Sequence, residues 1–430
     1  MDSARVAAEP VSVALTRARS LALAVALLVA AVFAAAACRS VPPARPAASP
    51  LPPTVILLSI DGWRWDYHTK APLPAVQRLI AGGVRAEGLV PGFPSKTFPN
   101  HYAIVTGLYP GHHGIVGNTM VDPAIPGRFA LSDRAQVGNA AWWGGEPLWV
   151  TAIRQGRRAA ALFWPGSEAP IGGVRPSEWA VYDERLPNRD RVDRLLQWLD
   201  RPAAERPVLL LSYFSDVDDA GHTFGPDSRQ LRAALIRVDR AIGRLLDGLE
   251  ARGLKGQVNV VLVSDHGMAA VSPARVIVLS DYLDLATVDV VDVNPNLAIA
   301  PKTVSAEEVY RRLAGAHPHL RVYRKAETPP EWRFRDHPRI PAIVGVADEG
   351  WSIARRHLNV TARFSRGAHG YDPQVRSMHG LFVASGPAFR RGAVVPAFDS
   401  VDVYDVLARV LGLTPAPNDG DPDVAARLLR

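Results

Sequence analysis

Three unbroken apolar stretches limit what this chain can fold into more than any other feature: "TVILLSI" at 54–60, "VLLLSYF" at 208–214 and "VNVVLVS" at 258–264. Each has the length of a strand and none alternates with polar residues. They therefore read as strands covered on both faces, the situation inside a parallel sheet flanked by helices. Leu231, Leu235, Val238, Ile242, Leu245 and Leu249 recur at three- and four-residue steps between the last two runs, which predicts an amphipathic helix closing near Gly253. Short apolar runs alternating with helical patterns indicate an α/β fold with a mostly parallel central sheet. At 430 residues, 48% hydrophobic and 21% charged, the chain can bury a large core. One catalytic domain over 54–430 is expected, with an inserted lobe of mixed structure at about 285–362, where the pattern turns irregular and "AETPPEWRFRDHPRIPAI" is broken by proline.

Ahead of the first run, Arg17 and Arg19 precede an alanine-rich apolar stretch from Leu21 to Ala37, and "AAA" leads directly into Cys38. This is the layout of an export signal over residues 1–38, with Cys38 placed as the acylated residue of a bacterial lipoprotein; a simply cleaved signal and a retained anchor helix are the other two readings. The expected location is the periplasm or cell envelope, with membrane contact only through this lipid anchor. Residues 39–53, including "VPPARPAASPLPP", have the composition of a semi-rigid linker. Cys38 is the only cysteine, so no disulfide forms within the chain. The net charge of +7 comes from scattered arginines with no basic tract interleaved with aromatics, and no nucleic-acid polymer is expected as a partner.

Each apolar run ends in groups that carry chemistry. Asp61 follows the first, Asp218 and His222 the second, Asp265 and His266 the third. Parallel sheets bind ligands at the carboxyl ends of their strands, so the chain would deliver all five groups to one edge. Taken singly, a strand-end aspartate is an ordinary turn residue, and Asp218 with His222 at i, i+4 is an ordinary structural pair. Together they would be costly to bury without cations. The mixture of carboxylate and imidazole suits zinc, or manganese, better than magnesium or calcium. Two ions with open positions need about six or seven protein ligands. One more histidine is wanted, and His369 and His379 are both candidates.

Beside this set, Thr97 in "SKTFPNHYAIVTG" stands where a helical pattern begins. By itself it reads as an N-cap. Next to bound divalent cations its hydroxyl becomes a competent nucleophile, and Pro99 marks a first helical turn whose free N–H groups attract phosphate oxygens.

These segments resemble the nucleotide pyrophosphatase/phosphodiesterases of the alkaline phosphatase superfamily. The resemblance runs in order through "LLSIDGWRWDY", "PSKTFPNHYAIVTGLYPGHHGIVGN", "FWPGSEAPIGG", "SYFSDVDDAGHTFGPDS", "VLVSDHGM" and "GAHGYDP" followed by "MHGLFVASGPAF". It implies an alkaline phosphatase-like three-layer fold and two zinc ions. One would be held by Asp218, His222 and His369, the other by Asp61, Asp265, His266 and the Thr97 oxygen. It also selects His369 over His379. Asn118 would support a non-bridging phosphate oxygen, and Phe98 and Tyr182 would sandwich a nucleobase. His101, His112 and His113 would be structural. The implied activity is hydrolysis of phosphodiester or pyrophosphate bonds in nucleotides, through a phospho-threonine, with release of nucleoside monophosphates. Action on lysophospholipid head groups, on monoesters or on phosphonoacetate are the alternatives within the superfamily.

Overall fold

The computed structural model describes residues 52–357 and 364–430. The expectations for the leader, for Cys38 and for nearly all of the linker lie outside the described residues, as do positions 358–362 of the expected lobe. In chain order the large sheet comprises Val55–Ile60 (β1), Val84–Ala86 (β2), Ala159–Leu162 (β3), Glu178–Ala180 (β4), Leu209–Phe214 (β5), Asn259–Val263 (β6), Phe382–Ser385 (β7) and Ala393–Val395 (β8). Across the sheet they run β8-β2-β7-β6-β1-β5-β3-β4. β1 lies between β5 and β6 and is parallel to both. Only β7 runs against its neighbours, β6 and β2.

Unbroken apolarity in β1 has the consequence expected of it. Val55 and Leu57 enter one core, whereas Ile56, Leu58 and Ile60 enter the other on the opposite face. The first core is completed by helices Thr97–Thr106 (α1), Leu148–Arg154 and Asp402–Leu411. The second is completed by Pro74–Gly82, Asn188–Leu199, Asp216–Phe224 (α2) and Arg229–Ala251 (α3). The molecule is thus three layers, helices over sheet over helices.

α3 buries all six of the residues that defined its pattern. It ends in a Schellman turn: Leu254 N–H bonds the Leu249 carbonyl, Gly253 N–H bonds that of Glu250, and Gly253 takes a positive φ of 67°. Within the expected lobe, strands Val288–Val293, Asn296–Pro301, Ile343–Ala347 and Leu320–Arg324 form a separate antiparallel sheet in that spatial order, packed with helix Ala306–Leu313 around a core of its own. A short parallel pair, Val276–Val278 with Ser352–Ala354, joins the two ends of this excursion. No helix among the described residues is long and apolar enough to cross a membrane.

Candidate metal centre and nucleophile

Because β1, β5 and β6 are parallel neighbours, their carboxyl ends lie side by side, and the residues just past those ends meet. Asp61 directly follows β1. Asp265 and His266 follow β6 after one serine. α2 begins two residues after β5 and carries Asp218 and His222 one helical turn apart. Gly62 makes the close approach possible: its φ is 66°, and a Cβ added there would stand 2.8 Å from Asp218 Oδ1. His369 directly follows the short strand Gly367–Ala368, far along the chain.

Among the described residues, three groups place ligand atoms within 4.8 Å of one another: Asp218, His222 and His369; Asp61, Asp218 and His266; and Asp61, His101 and Asp265. Hydrogen bonds decide which nitrogens are available. A carbonyl can only accept, so the ring nitrogen that faces one carries the hydrogen. His222 Nδ1 donates to Gly367 O at 2.8 Å, His266 Nδ1 to Gly267 O at 2.9 Å and His369 Nδ1 to Ser95 O at 2.9 Å. In all three neutral rings Nε2 therefore faces the cluster as a lone-pair donor while the other nitrogen is held by a backbone carbonyl, as is common in metal-binding histidines. His222 Nε2 and His369 Nε2 lie 3.0 Å apart, lone pair toward lone pair unless a cation lies with them. His101 is different. Its Nδ1 donates to Thr97 O at 2.9 Å and its Nε2 meets Ser59 Oγ at 2.7 Å, which occupies both ends of the ring.

The carboxylates are divided in the same way, with one oxygen tied down and the other turned to the cluster. Asp61 Oδ2 accepts from Tyr213 OH at 2.7 Å and Asp265 Oδ1 accepts from Gly62 N at 3.3 Å. The remaining oxygens, Asp61 Oδ1 and Asp265 Oδ2, and also Asp218 Oδ1, are buried without a hydrogen-bond partner. Orphaned anionic oxygens of this kind are expensive in a protein interior, and a divalent cation satisfies them together with the Nε2 lone pairs. Burial, then the neighbouring Asp265 and Asp218, push the Asp61 carboxyl well above the usual range. Burial raises Asp218 too. It also opposes ionisation of Asp265, but a proton on the neighbouring His266 ring, which Asp265 favours in turn, and the His101 ring outweigh it and hold Asp265 well below that range; a cation at His266 Nε2 would take the place of that proton. Burial, with His266 and His222 nearby, keeps His369 neutral, as a ligand must be. The residues present fit a two-cation centre.

Thr97 is not the cap of its helix. Lys96 occupies the N-cap position, and Thr97 is the first residue of α1, with its Oγ1 3.4 Å from His266 Nε2. The free N–H groups expected there are few: Pro99 has none, and that of Phe98 bonds Asn118 Oδ1 at 3.0 Å, which leaves the Thr97 amide. Fixing its carbonyl end in this way makes the Asn118 side chain a donor at its other end.

Residues 55–372 match the family described as type I phosphodiesterase / nucleotide pyrophosphatase. The human ectonucleotide pyrophosphatase/phosphodiesterase family member 5 is 38% identical over 367 residues, 85% of this chain and 76% of the relative. A bis(5'-adenosyl)-triphosphatase of Xenopus laevis is 38% identical over 370 residues, 86% of this chain and 80% of the relative. The solved structure of murine ectonucleotide pyrophosphatase/phosphodiesterase 5, as an inactive threonine-to-alanine variant in complex with AMP, superposes with a TM-score of 0.83 at 37% identity, covering 87% of this chain and 99% of that one. The chain belongs to the type I phosphodiesterase / nucleotide pyrophosphatase family.

As a member of that family it is a metal-dependent hydrolase of phosphodiester and pyrophosphate bonds in nucleotides, releasing nucleoside monophosphates. In this phosphodiesterase the residues expected as metal ligands come together from five separate segments, those of Asp61, Thr97, Asp218 with His222, Asp265 with His266, and His369. Phe98 packs edge-on to Phe129, at 5.8 Å between ring centroids, and obliquely on Trp143. Tyr182 packs edge-on to Phe163 and to Tyr213, the tyrosine bonded to Asp61. His113 is buried and His112 pairs with Asp419 on the surface. His379 Nδ1 meets the Arg376 guanidinium, and neither it nor His112 or His113 belongs to the three ligand groups. Sequence reading passed over Gly62, Ser59 and Tyr213. "DG" after a buried strand could have flagged Gly62. Nothing local marks Ser59 or Tyr213, whose partners lie on α1 and just past the neighbouring strand β1.

Proposed function

We propose that Thr97 is the nucleophile of a two-step displacement and that two zinc ions are the native metals, with manganese the alternative. Asp218, His222 and His369 would hold one ion, and Asp61, Asp265, His266 and the Thr97 oxygen the other. Bound there, the cations would acidify the threonine hydroxyl and a water and offset the charge gathering on the phosphoryl oxygens. Thr97 Oγ1 attacks phosphorus, the bond to the leaving oxygen breaks and nucleoside monophosphate remains on the threonine; water then cleaves that ester and frees Thr97. Asn118 donates through its amide to a non-bridging oxygen. Phe98 and Tyr182 take a nucleobase between them. The observation that carries this reading is the gathering of three Nε2 lone pairs and three unpartnered carboxylate oxygens in one cluster, one member of which, His266 Nε2, lies 3.4 Å from the hydroxyl at the start of α1. It agrees with the inactive threonine-to-alanine variant reported for the murine structure.

Thr97→Ala should keep its metal content and lose nearly all turnover of a nitrophenyl nucleotide diester; full turnover would refute the nucleophile assignment. Tyr182→Ala should raise KM for that diester more than for a nitrophenyl diester lacking a base. The wild-type enzyme should prefer the nucleotide diester to nitrophenyl phosphate. The proposed domain plan is a catalytic domain over 54–430 with its lobe at about 285–362, behind a linker and an export signal that anchors the protein at the cell envelope through acylated Cys38. Arg17, Arg19 and the apolar stretch before Cys38 support that placement. Cys38→Ser should release the protein from the membrane fraction.

A further inference from the structure

The lobe sheet comes close to the site beside Lys96. Asp292, on strand Val288–Val293, accepts from the Lys96 ammonium at 2.7 Å, and the two side chains are 11% and 7% exposed. Lys96 immediately precedes Thr97. Its stem passes Gly370, where an added Cβ would come within 3.2 Å of Lys96 Cε, and Gly370 follows His369. The carboxylate of Asp292 rests against Gly117, where a Cβ would stand 3.1 Å from Oδ2, and Asn118 is the next residue. A nearly buried ion pair thus sits among neighbours of the nucleophile, of the oxygen-binding amide and of a ligand histidine, and it belongs to none of the ligand groups.

We propose that Asp292 sets a preference for phosphodiesters over phosphomonoesters by neutralising Lys96. This rests on the diester reading given above. The phosphoryl group of a diester carries one negative charge, whereas that of a monoester carries close to two at neutral pH, so a site that favours monoesters needs further positive charge near the non-bridging oxygens. Asn118 offers only a neutral amide. The adjacent cation, Lys96, already has a carboxylate at hydrogen-bond distance, and the two opposite charges largely cancel for any third group nearby. With the carboxylate gone, the same ammonium would be left in a nearly dry position without a counter-ion, and the extra charge of a monoester would supply one. Asp292 is a positioning and specificity residue: it acts through Lys96 and does not touch the substrate.

The test compares kcat/KM for the nitrophenyl ester of thymidine monophosphate with that for nitrophenyl phosphate, using metal-loaded full-chain enzyme as wild type, Asp292→Asn, Lys96→Gln and the double variant. The diester-to-monoester ratio should fall about tenfold in Asp292→Asn, in the range of removing one close charge partner. It should rise in Lys96→Gln, where the carboxylate stands alone, and return toward the wild-type value in the double variant. Both substrates are measured on one preparation, so loss of folded enzyme cancels in the ratio. Lys96→Gln tests the opposite direction should Asp292→Asn fail to fold. A ratio unchanged in the single variants, or one lowered equally in Asp292→Asn and the double variant, overturns the proposal and leaves the diester reading standing. A wild-type preference for the monoester overturns the diester reading first, and this inference with it.

Discussion

At Thr97 and His101, one helical turn apart, the same peptide segment supplies a hydroxyl aimed at the ligand cluster and a ring that cannot be a ligand. His101 spends its Nδ1 hydrogen on the Thr97 carbonyl and its Nε2 on Ser59, so it holds the backbone of Thr97, the proposed nucleophile, in place. His101→Leu should lower kcat by about 10- to 100-fold, the range for groups that orient a metal site, with KM changing less; steady-state kinetics with metal analysis would check it, and an unchanged kcat would count against the role. His113 shows a pH effect of known sign. Its Nε2 donates to Pro99 O and its Nδ1 accepts from Ile115 N–H, so a second proton has no place, and burial lowers the pKa from the ordinary 6.5 to about 3. Stability from this group is complete above pH 6.5 and drains away as pH falls toward 3, by up to a few kcal/mol. Urea midpoints at pH 7 and pH 4 should therefore diverge more in the wild type than in His113→Gln.

Among the elements, α3 was readable nearly residue by residue because its pattern is local and its apolar face is undiluted. What the pattern missed is Asp239 on the same buried face. It accepts from the Ala75 and Val76 N–H groups, and so caps helix Pro74–Gly82, whose own N-cap, Leu73, has no side-chain oxygen. Asp239→Ala should destabilise the fold by about 1–3 kcal/mol, since buried donors lose their acceptor. Gly253 is required for a different reason. Open space surrounds its would-be Cβ, yet its φ is left-handed, so Gly253→Ala should cost about 1–2 kcal/mol through the backbone alone. Chemical denaturation would measure both, and a neutral Gly253→Ala would refute the conformational argument.

For the whole molecule, the proposed metal centre would also be a fastener. It would join the residues just past β1 and β6, the helix α2 and the segment after strand Gly367–Ala368 that carries His369, which together span most of the folded chain. Removing cations with a chelator should abolish hydrolysis and lower Tm by several degrees, because a ligand bound only by the native state stabilises it. Restoring zinc should recover both. A Tm indifferent to chelation would mean that the carboxylates and imidazoles are satisfied without metal.

The sequence by itself determined the strands, the main helix and the set of groups at the strand ends, since periodicity and apolar run length are properties of neighbouring residues. It could not choose between His369 and His379 from spacing, and the resemblance to a known family was needed for that choice. Only the tertiary structure decided that Thr97 follows the cap instead of forming it, that His101 is spent on backbone and serine, that Gly62 admits Asp218, and that Asp292 of the lobe meets Lys96. The place of Thr97 after the cap is a local backbone outcome that residue pattern does not show; the contacts of His101 with Ser59, Gly62 with Asp218 and Asp292 with Lys96 rest on atoms brought together between elements, where a few ångströms in space correspond to tens or hundreds of residues along the chain.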